Sequence, residues 1–519
     1  MTQDETIWYD GSDEAHIRDR EIEAQSALDD NGESLGYPAK AEVDESAEYI
    51  AATNQFQTSS DYMNKDSVIL SRADWEGTQP KAVEGKTKEI SQEFADLMNL
   101  EVTFDVNTDP TYGNVEGSLV YAEEQPTSGA DNGLTLSDMR GLSYYDEKWD
   151  LLLDQIDWEA DKDGLILSFA GAAYVTGAVD SIGLPLTEEY DGANGLKVKG
   201  SDNGYDMSKS SSFGFAPLMA ATWNEDLAYE IGVAFGQEAL QNDINGWYCP
   251  AINLHRSAFC GRVFEYYSED PVLSGKFAAR VISGAGDQGM FCYLKHFALN
   301  DTDTGRALLA NFWADEQTMR ELYMKAFEIA IEEAEMTINY LDENGETKEK
   351  TMRAATAVMP AQNCVGTIVG ECNYALLNNV LRGEWGFQGV VVSDYWVWAD
   401  NSIRDLALRA GCDTYLCMAM PSVWNLDDYD SATARSVMRT AVKNLCYTVV
   451  NSNAMQGVAP GAVVKETLSP WMKALIGVDV VAGVLFVGAI YWMVRRHKDE
   501  KLHPENYKPR KQRKVKKAE

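Results

Sequence analysis

Gly389-Val390-Val391-Val392-Ser393-Asp394-Tyr395-Trp396 is a run of β-branched residues behind a glycine that stops abruptly at a carboxylate and two aromatics. Such a run reads as a strand buried on both faces, and the C-terminal end of a buried parallel strand is where an α/β fold exposes working groups. Asp394 is therefore the candidate nucleophile. Taken alone, a Ser-Asp after a strand is more simply a helix cap. The residues upstream are what tip the reading toward chemistry.

Working outward, the chain repeats strand-loop-helix units. Asn224-Glu225-Asp226 opens a helix with Leu227, Ile231 and Ala234 on one face, followed by a strand over Trp247 to Leu254. A strand over Phe291 to Phe297 pairs with a helix opened by Asp315 and lined by Met319, Leu322, Tyr323, Ala326, Phe327 and Ala330. Strands are expected over Ala357 to Gln362 and Asp413 to Met418, with a helix around Tyr374 to Leu381. Alternating βα units over this length predict an α/β protein built on a (β/α)8 TIM-type barrel, whose site lies at the C-terminal strand ends. Thr337 to Arg353, with Asp342-Glu343-Asn344-Gly345-Glu346 in its middle, reads as a hairpin inserted at the surface.

The strand ends carry polar clusters. They are Asp191-Gly192, then Arg262 with Glu265, then Lys295-His296, then Ser393-Asp394. Each has a plain explanation singly, as a turn, an internal ion pair or a cap. Together they imply one pocket in which Lys295 and Arg262 donate to hydroxyls and Asp191 accepts from a polyol. Tyr395 and Trp396 offer apolar faces to a sugar ring. That set suits glycoside hydrolysis with a carboxylate nucleophile.

Composition bounds the rest. The 519 residues carry a net charge of −38, yet residues 495–519 hold eleven Lys or Arg against four Asp or Glu, leaving −45 on the remainder. So acidic a body repels nucleic acid. Eight cysteines stand singly in apolar surroundings without a Cys-x-x-Cys pair, which predicts packed free thiols rather than a zinc site or disulfides. Residues 474–494 are apolar apart from Asp479 and end at Arg495-Arg496-His497-Lys498, the pattern of a single membrane span with the basic tail cytoplasmic and the acidic body outside. Met1-Thr2-Gln3-Asp4 shows no leader of the usual kind, so the expectation is that either export is unusual or an upstream piece is missing.

Four stretches resemble the barrel domain of glycoside hydrolase family 3, the β-glucosidase family. They are residues 247–257 (WYCPAINLHRS), 261–271 (GRVFEYYSEDP), 295–300 (KHFALN) and 391–394 (VVSD), and the likeness extends over about residues 136–455. The resemblance implies a retaining mechanism without a cofactor. It makes Asp394 the nucleophile and Asp191, Arg262, Lys295 and His296 the residues that grip the sugar hydroxyls. Ala193 stands where the family usually has Pro, and Tyr395 where it usually has Trp. The family's single-domain branch, with its catalytic loop His, is disfavoured because the motif continues as Ala298-Leu299-Asn300. Residues 68–78 resemble the junction of permuted, membrane-anchored members, in which an α/β sandwich domain bearing the acid/base precedes the barrel. The expected organisation is thus an acidic sandwich remnant (1–66), a connector (67–135), the barrel (136–455), a linker (456–473), a membrane helix (474–494) and a basic tail (495–519). Two functions compete: a retaining β-glycosidase acting on a β-linked glycoside or oligosaccharide, with its acid/base elsewhere, or a membrane-tethered sugar-binding protein without turnover.

Overall fold

A computed structural model describes residues 92, 122–198, 206–256, 260–303, 305–306, 310–312, 314, 316–342, 344–396, 401–417, 424–462 and 470–507. The expectations for residues 1–91 and for Asp315, Met418 and the tail beyond 507 lie outside these. Two compact units divide near residue 464.

The first unit is organised by a six-stranded sheet. Its strands are β1 (Val175–Thr176), β2 (Thr187–Tyr190), β3 (Gly246–Trp247), β4 (Phe291–Phe297), β8 (Ala357–Pro360) and β11 (Val390–Val391), side by side in that order. The numbers between belong to β5 (Asn311–Phe312), β6 (Glu335–Leu341), β7 (Thr347–Arg353), β9 (Cys364–Val365) and β10 (Ile368–Val369). From β2 to β11 every pairing is parallel, and only β1 runs antiparallel to its neighbour. Spatial order therefore follows chain order, which is the winding of a barrel wall. Beyond β11, parallel bridges join Val392 to Thr414 and Trp396 to Cys417. Tyr415 in turn hydrogen-bonds backward, its N–H to Ser168 O at 3.1 Å and its carbonyl from Ala172 N–H at 2.9 Å. Among the described residues the sheet curls accordingly, as a six-stranded half-barrel, part of the expected barrel wall.

Where the ladders run shorter than expected, local chemistry gives the reason. The strand from Trp247 breaks because Pro250 has no N–H to donate. Further on, the Asn253 side chain substitutes for backbone pairing: it donates to His296 O at 3.0 Å and accepts from His296 N–H at 2.9 Å. The helix expected around 374–381 is present as a π-helical stretch, Ala375–Glu384. The hairpin of β6 and β7 pairs in full register from Glu335 with Arg353 to Leu341 with Thr347.

Helices α1 (Glu225–Gln241), α2 (Pro271–Asp287), α3 (Lys325–Glu333) and α4 (Ala432–Val450) back the sheet. Asn224 caps α1 by accepting from Leu227 N–H at 3.0 Å, and Asp270 caps α2 by accepting from Val272 and Leu273. β4 is buried at all seven positions, Lys295 and His296 included. Gly389 opens β11 with φ +144°, and a Cβ there would meet Thr356 O at 2.0 Å. The strand behind Asp394 thus needs a glycine both for its dihedral and for the close backbone approach of β8. All eight cysteines are buried and unpaired.

The second unit is a helix, α5 (Pro470–Leu502), long and apolar enough to cross a membrane, whose apolar side chains are exposed.

Candidate active site

Parallel strands carry the site side chains in on their C-terminal ends. Asp191 follows β2 directly, and its Oδ1 accepts the Gly192 N–H at 2.8 Å. Lys295, near the end of β4, places Nζ 3.1 Å from Asp191 Oδ1 and 3.7 Å from Glu265 Oε2. Lys197 reaches Asp191 Oδ2 at 3.4 Å. The loop after β3 supplies Arg262, whose Nε donates to Glu265 Oε1. One lysine therefore ties two strand ends and a loop together.

His296, the next residue on β4, turns its Nε2 to within 4.0 Å of Asp394 Oδ2. The Asp394 carboxyl is 5% exposed and held from two directions. Its Oδ1 accepts the Tyr395 N–H at 2.7 Å and its Oδ2 the Arg306 guanidinium at 2.5 Å. Behind it, Ser393 Oγ accepts from Leu416 N–H at 2.8 Å and donates to Asp394 O at 2.8 Å, fixing the strand end to the neighbouring segment.

Electrostatics follow from burial set against partners. Burial would raise the Asp191 carboxyl, but Lys295 and Lys197 outweigh it and hold it well below the usual carboxylate range. Burial would lower Lys295 and Arg262, yet Asp191 raises the first and Glu265 the second, so both stay charged. His296 goes the other way. Burial first, then Arg262, Lys295 and Arg306, hold its imidazole well below the ordinary value, so at neutral pH it is uncharged. Its contact with Asp394 is therefore not an ion pair. Three carboxyls (Asp191, Glu265, Asp394) thus face three cations (Lys295, Arg262, Arg306) in one water-poor cluster, the condition under which buried charges are tolerated.

The structure brings Asp394, Asp191, Arg262, Lys295 and His296 into this single cluster. Trp396 differs: it is 9% exposed, and its indole N–H donates to Glu371 Oε1 at 2.6 Å. Sequence reasoning missed Arg306 and Glu371. Arg306 sits nine residues past β4, just after the polar stretch Asp301-Thr302-Asp303, and it also pairs with Asp303 at 2.7 Å. Glu371 lies in a turn, Gly370–Cys372, with no flanking pattern to mark it.

The sequence profile described as the glycosyl hydrolase family 3 N terminal domain matches residues 177–445, just over half of the chain. The chain belongs to glycosyl hydrolase family 3. The matched residues contain every member of the cluster, and the TIM-like barrel of this family's N-terminal domain accords with the curled parallel sheet. Beta-glucosidase A of Butyrivibrio fibrisolvens is 36% identical over 239 residues, which cover 46% of this chain and 26% of that protein. A beta-glucosidase of Rhizobium radiobacter is 35% identical over 252 residues, covering 48% and 27%. Among solved structures, beta-glucosidase 3B from Thermotoga neapolitana in complex with glucose shares 30% identity over 60% of this chain and 43% of that one, with TM-score 0.49. A beta-glucosidase from Paenibacillus barengoltzii shares 24% over 67% and 37%, with TM-score 0.50, and speaks for the fold alone. The family 3 chain spans about a quarter of the length of the curated relatives it matches.

Proposed function

We propose that this chain is the nucleophile-bearing barrel of a retaining β-glycosidase that acts on terminal β-linked sugars. The observation that carries the reading is the Asp394 carboxyl, buried at a strand end beside Arg306 and His296 and one residue's reach from the Lys295–Asp191 pair. In the first step an Asp394 oxygen bonds to the anomeric carbon as the glycosidic bond breaks, its electron pair leaving with the aglycone oxygen. A general acid protonates that oxygen. Water then attacks the same carbon, and the carboxylate is released. Asp191, Lys295 and Arg262 hold the sugar hydroxyls, a task suited to ionised donors and acceptors kept dry.

The general acid is placed, on this proposal, in a sandwich domain on an upstream or separate chain. The α5 helix anchors the protein in the cell membrane, with the acidic barrel outside and the basic residues after 494 in the cytoplasm. Protease digestion of intact cells tests that topology: the barrel is cut and the tail protected.

A fluorinated β-glucoside with an activated aryl leaving group tests the chemistry. It needs little protonation to react and leaves a stable sugar adduct, so peptide mass mapping is expected to find the sugar on Asp394. One observation favours a second reading, a tethered sugar-binding protein. Both Asp394 oxygens already accept a hydrogen bond, Oδ1 from the Tyr395 N–H and Oδ2 from the Arg306 guanidinium. Saturable glucose binding with no covalent adduct decides for that reading.

A further inference from the structure

Glu371 joins the site from a turn that has no place in the strand-end pattern. Its side chain has no exposure, Oε1 accepts the Trp396 indole N–H at 2.6 Å, and Oε2 is buried with no hydrogen-bond partner. Trp396 stands two residues after Asp394. Its own N–H donates to Leu416 O at 2.9 Å and it bridges to Cys417, so the indole is the side-chain handle on the segment that presents the nucleophile.

We propose that Glu371 is a positioning residue for the Asp394 site, fixing through the Trp396 indole the strand end from which the Asp394 carboxyl projects. The inference rests on the reading of Asp394 as the reacting group. Because Glu371 has no exposed atom, no leaving-group oxygen can reach it, and it is not the proton donor. It acts through Trp396 alone.

Its charge state matters to its neighbour. Burial first, and then Asp394, push the Glu371 carboxyl up to about 8, while the Trp396 N–H pulls the other way. The titratable groups that feel it are buried and acidic or neutral: Asp394, Cys364, Cys372, Cys412 and Tyr415. Arg404, 5.8 Å over the Tyr415 ring, is the cation on that side. At neutral pH Glu371 therefore grips the indole without setting a second anion beside the nucleophile. On ionisation the buried carboxylate has only its own backbone N–H and the Trp396 N–H to replace its solvation, so it draws in water and the strand end shifts with it.

Two measurements on the full chain test this. The first is infrared difference spectroscopy, which reads a buried protonated carboxyl whether or not any sugar reacts. In the wild-type minus Glu371→Gln difference, where the Glu189 and Asp301 carboxyls cancel, a carbonyl band present at pH 7 and fading toward pH 9 is expected; its absence from that difference overturns the inference. The second is the rate at which the fluorinated glucoside labels Asp394. If only the neutral form positions the segment, the rate falls above the midpoint with a slope that steepens toward about tenfold per pH unit. Glu371→Gln loses that alkaline limb and retains more labelling than Glu371→Leu. A limb that persists in Glu371→Gln overturns the proposal. A wild type that never labels sinks the catalytic reading instead, and the infrared band then decides the placement and protonation of Glu371 by itself.

Discussion

The two sides of the strand-end cluster solve the same problem in opposite ways. On the Asp191 side, the carboxyls are paired with cations from a neighbouring strand and loop: Lys295 bridges Asp191 and Glu265, and Arg262 pairs with Glu265. On the Glu371 side, a carboxyl is kept neutral by burial, its hydrogen bond coming from an uncharged indole. Asp394 lies between, with a guanidinium on one oxygen and a backbone N–H on the other. The contrast divides labour: the charged side is fit to hold a polar ligand, the neutral side to hold the backbone that delivers the reacting atom.

The largest effect expected is at Asp394 itself. Asp394→Asn keeps the volume but replaces the carboxylate with an amide that can accept from only one of the Tyr395 N–H and Arg306 donors, and labelling by the fluorinated glucoside should fall by about 10⁴ or more. Intact-mass spectrometry measures it, and a variant that still labels would place the nucleophile elsewhere. Next comes the leaving group. If the acid/base lies outside the chain, natural β-glucosides should react slower than activated aryl β-glucosides by about 10² to 10⁴ beyond the difference seen for a complete enzyme. Product analysis on a matched pair of substrates checks this, and equal rates would break it.

Breaking the charged side should cost stability as well as binding. Lys295→Met takes the shared cation from Asp191 and the 5% exposed Glu265, and because Lys197 and Arg262 remain beside them the cost should fall below about 3–5 kcal/mol, that of a buried charge left with no partner. Urea unfolding reads that loss. The asymmetric comparison is Glu371→Gln, where no charge is uncovered and the cost should be smaller.

How much of this was legible in the chain depends on whether a residue stands next to a pattern. Asp191, Lys295, His296 and Asp394 follow apolar strands within a residue or two, so periodicity marks them. Arg262 travels in a charged loop beside Glu265 and was legible through its partner. Arg306 and Glu371 were not, because a polar loop and a three-residue turn have no period, and what makes them matter is a contact across 88 and 25 residues of sequence. The same limit applies to the fold. The fully buried β4 was readable end to end. The wall near Thr414 and Tyr415, where a strand over Asp413 to Met418 is expected, is built from single bridges and from bonds to Ser168 and Ala172, partners that no local pattern announces.

The strand behind Asp394 offers a smaller and more local break. Gly389→Ala forces a side chain onto a residue with φ +144° and drives its Cβ to 2.0 Å from Thr356 O. A backbone strain of this kind costs about 1–3 kcal/mol, and relief requires β11 to slide away from β8. Thermal unfolding should register the loss, and labelling of Asp394 should fall with it because the displaced strand carries the carboxyl. Unchanged labelling in a destabilised variant would show that Ser393 and Trp396, rather than the strand, hold the nucleophile in place.

The finest test sets the two sides against each other through pH. Asp191 titrates below its ordinary range in the folded chain. Its contribution is therefore complete above the ordinary Asp range and is lost as pH falls through the lower folded value. Glu371 is raised to about 8. Between the ordinary Glu range and that value the folded chain keeps a proton that the unfolded chain has released, so its share of stability is largest in acid and declines as pH rises. The decline is at most about 1.4 kcal/mol for each pH unit and ends once both states have ionised. Glu189 and Asp301, both raised to about 7 by burial, slope the same way, so the wild-type curve alone does not isolate Glu371. The difference between wild type and Glu371→Gln does. Urea midpoints measured from pH 5 to pH 8 should converge toward the alkaline end less steeply for the variant, since the glutamine has no proton to hold. Parallel curves would mean that Glu371 is already charged at neutral pH, and the contrast between a cation-balanced side and a neutral side would lose its second half.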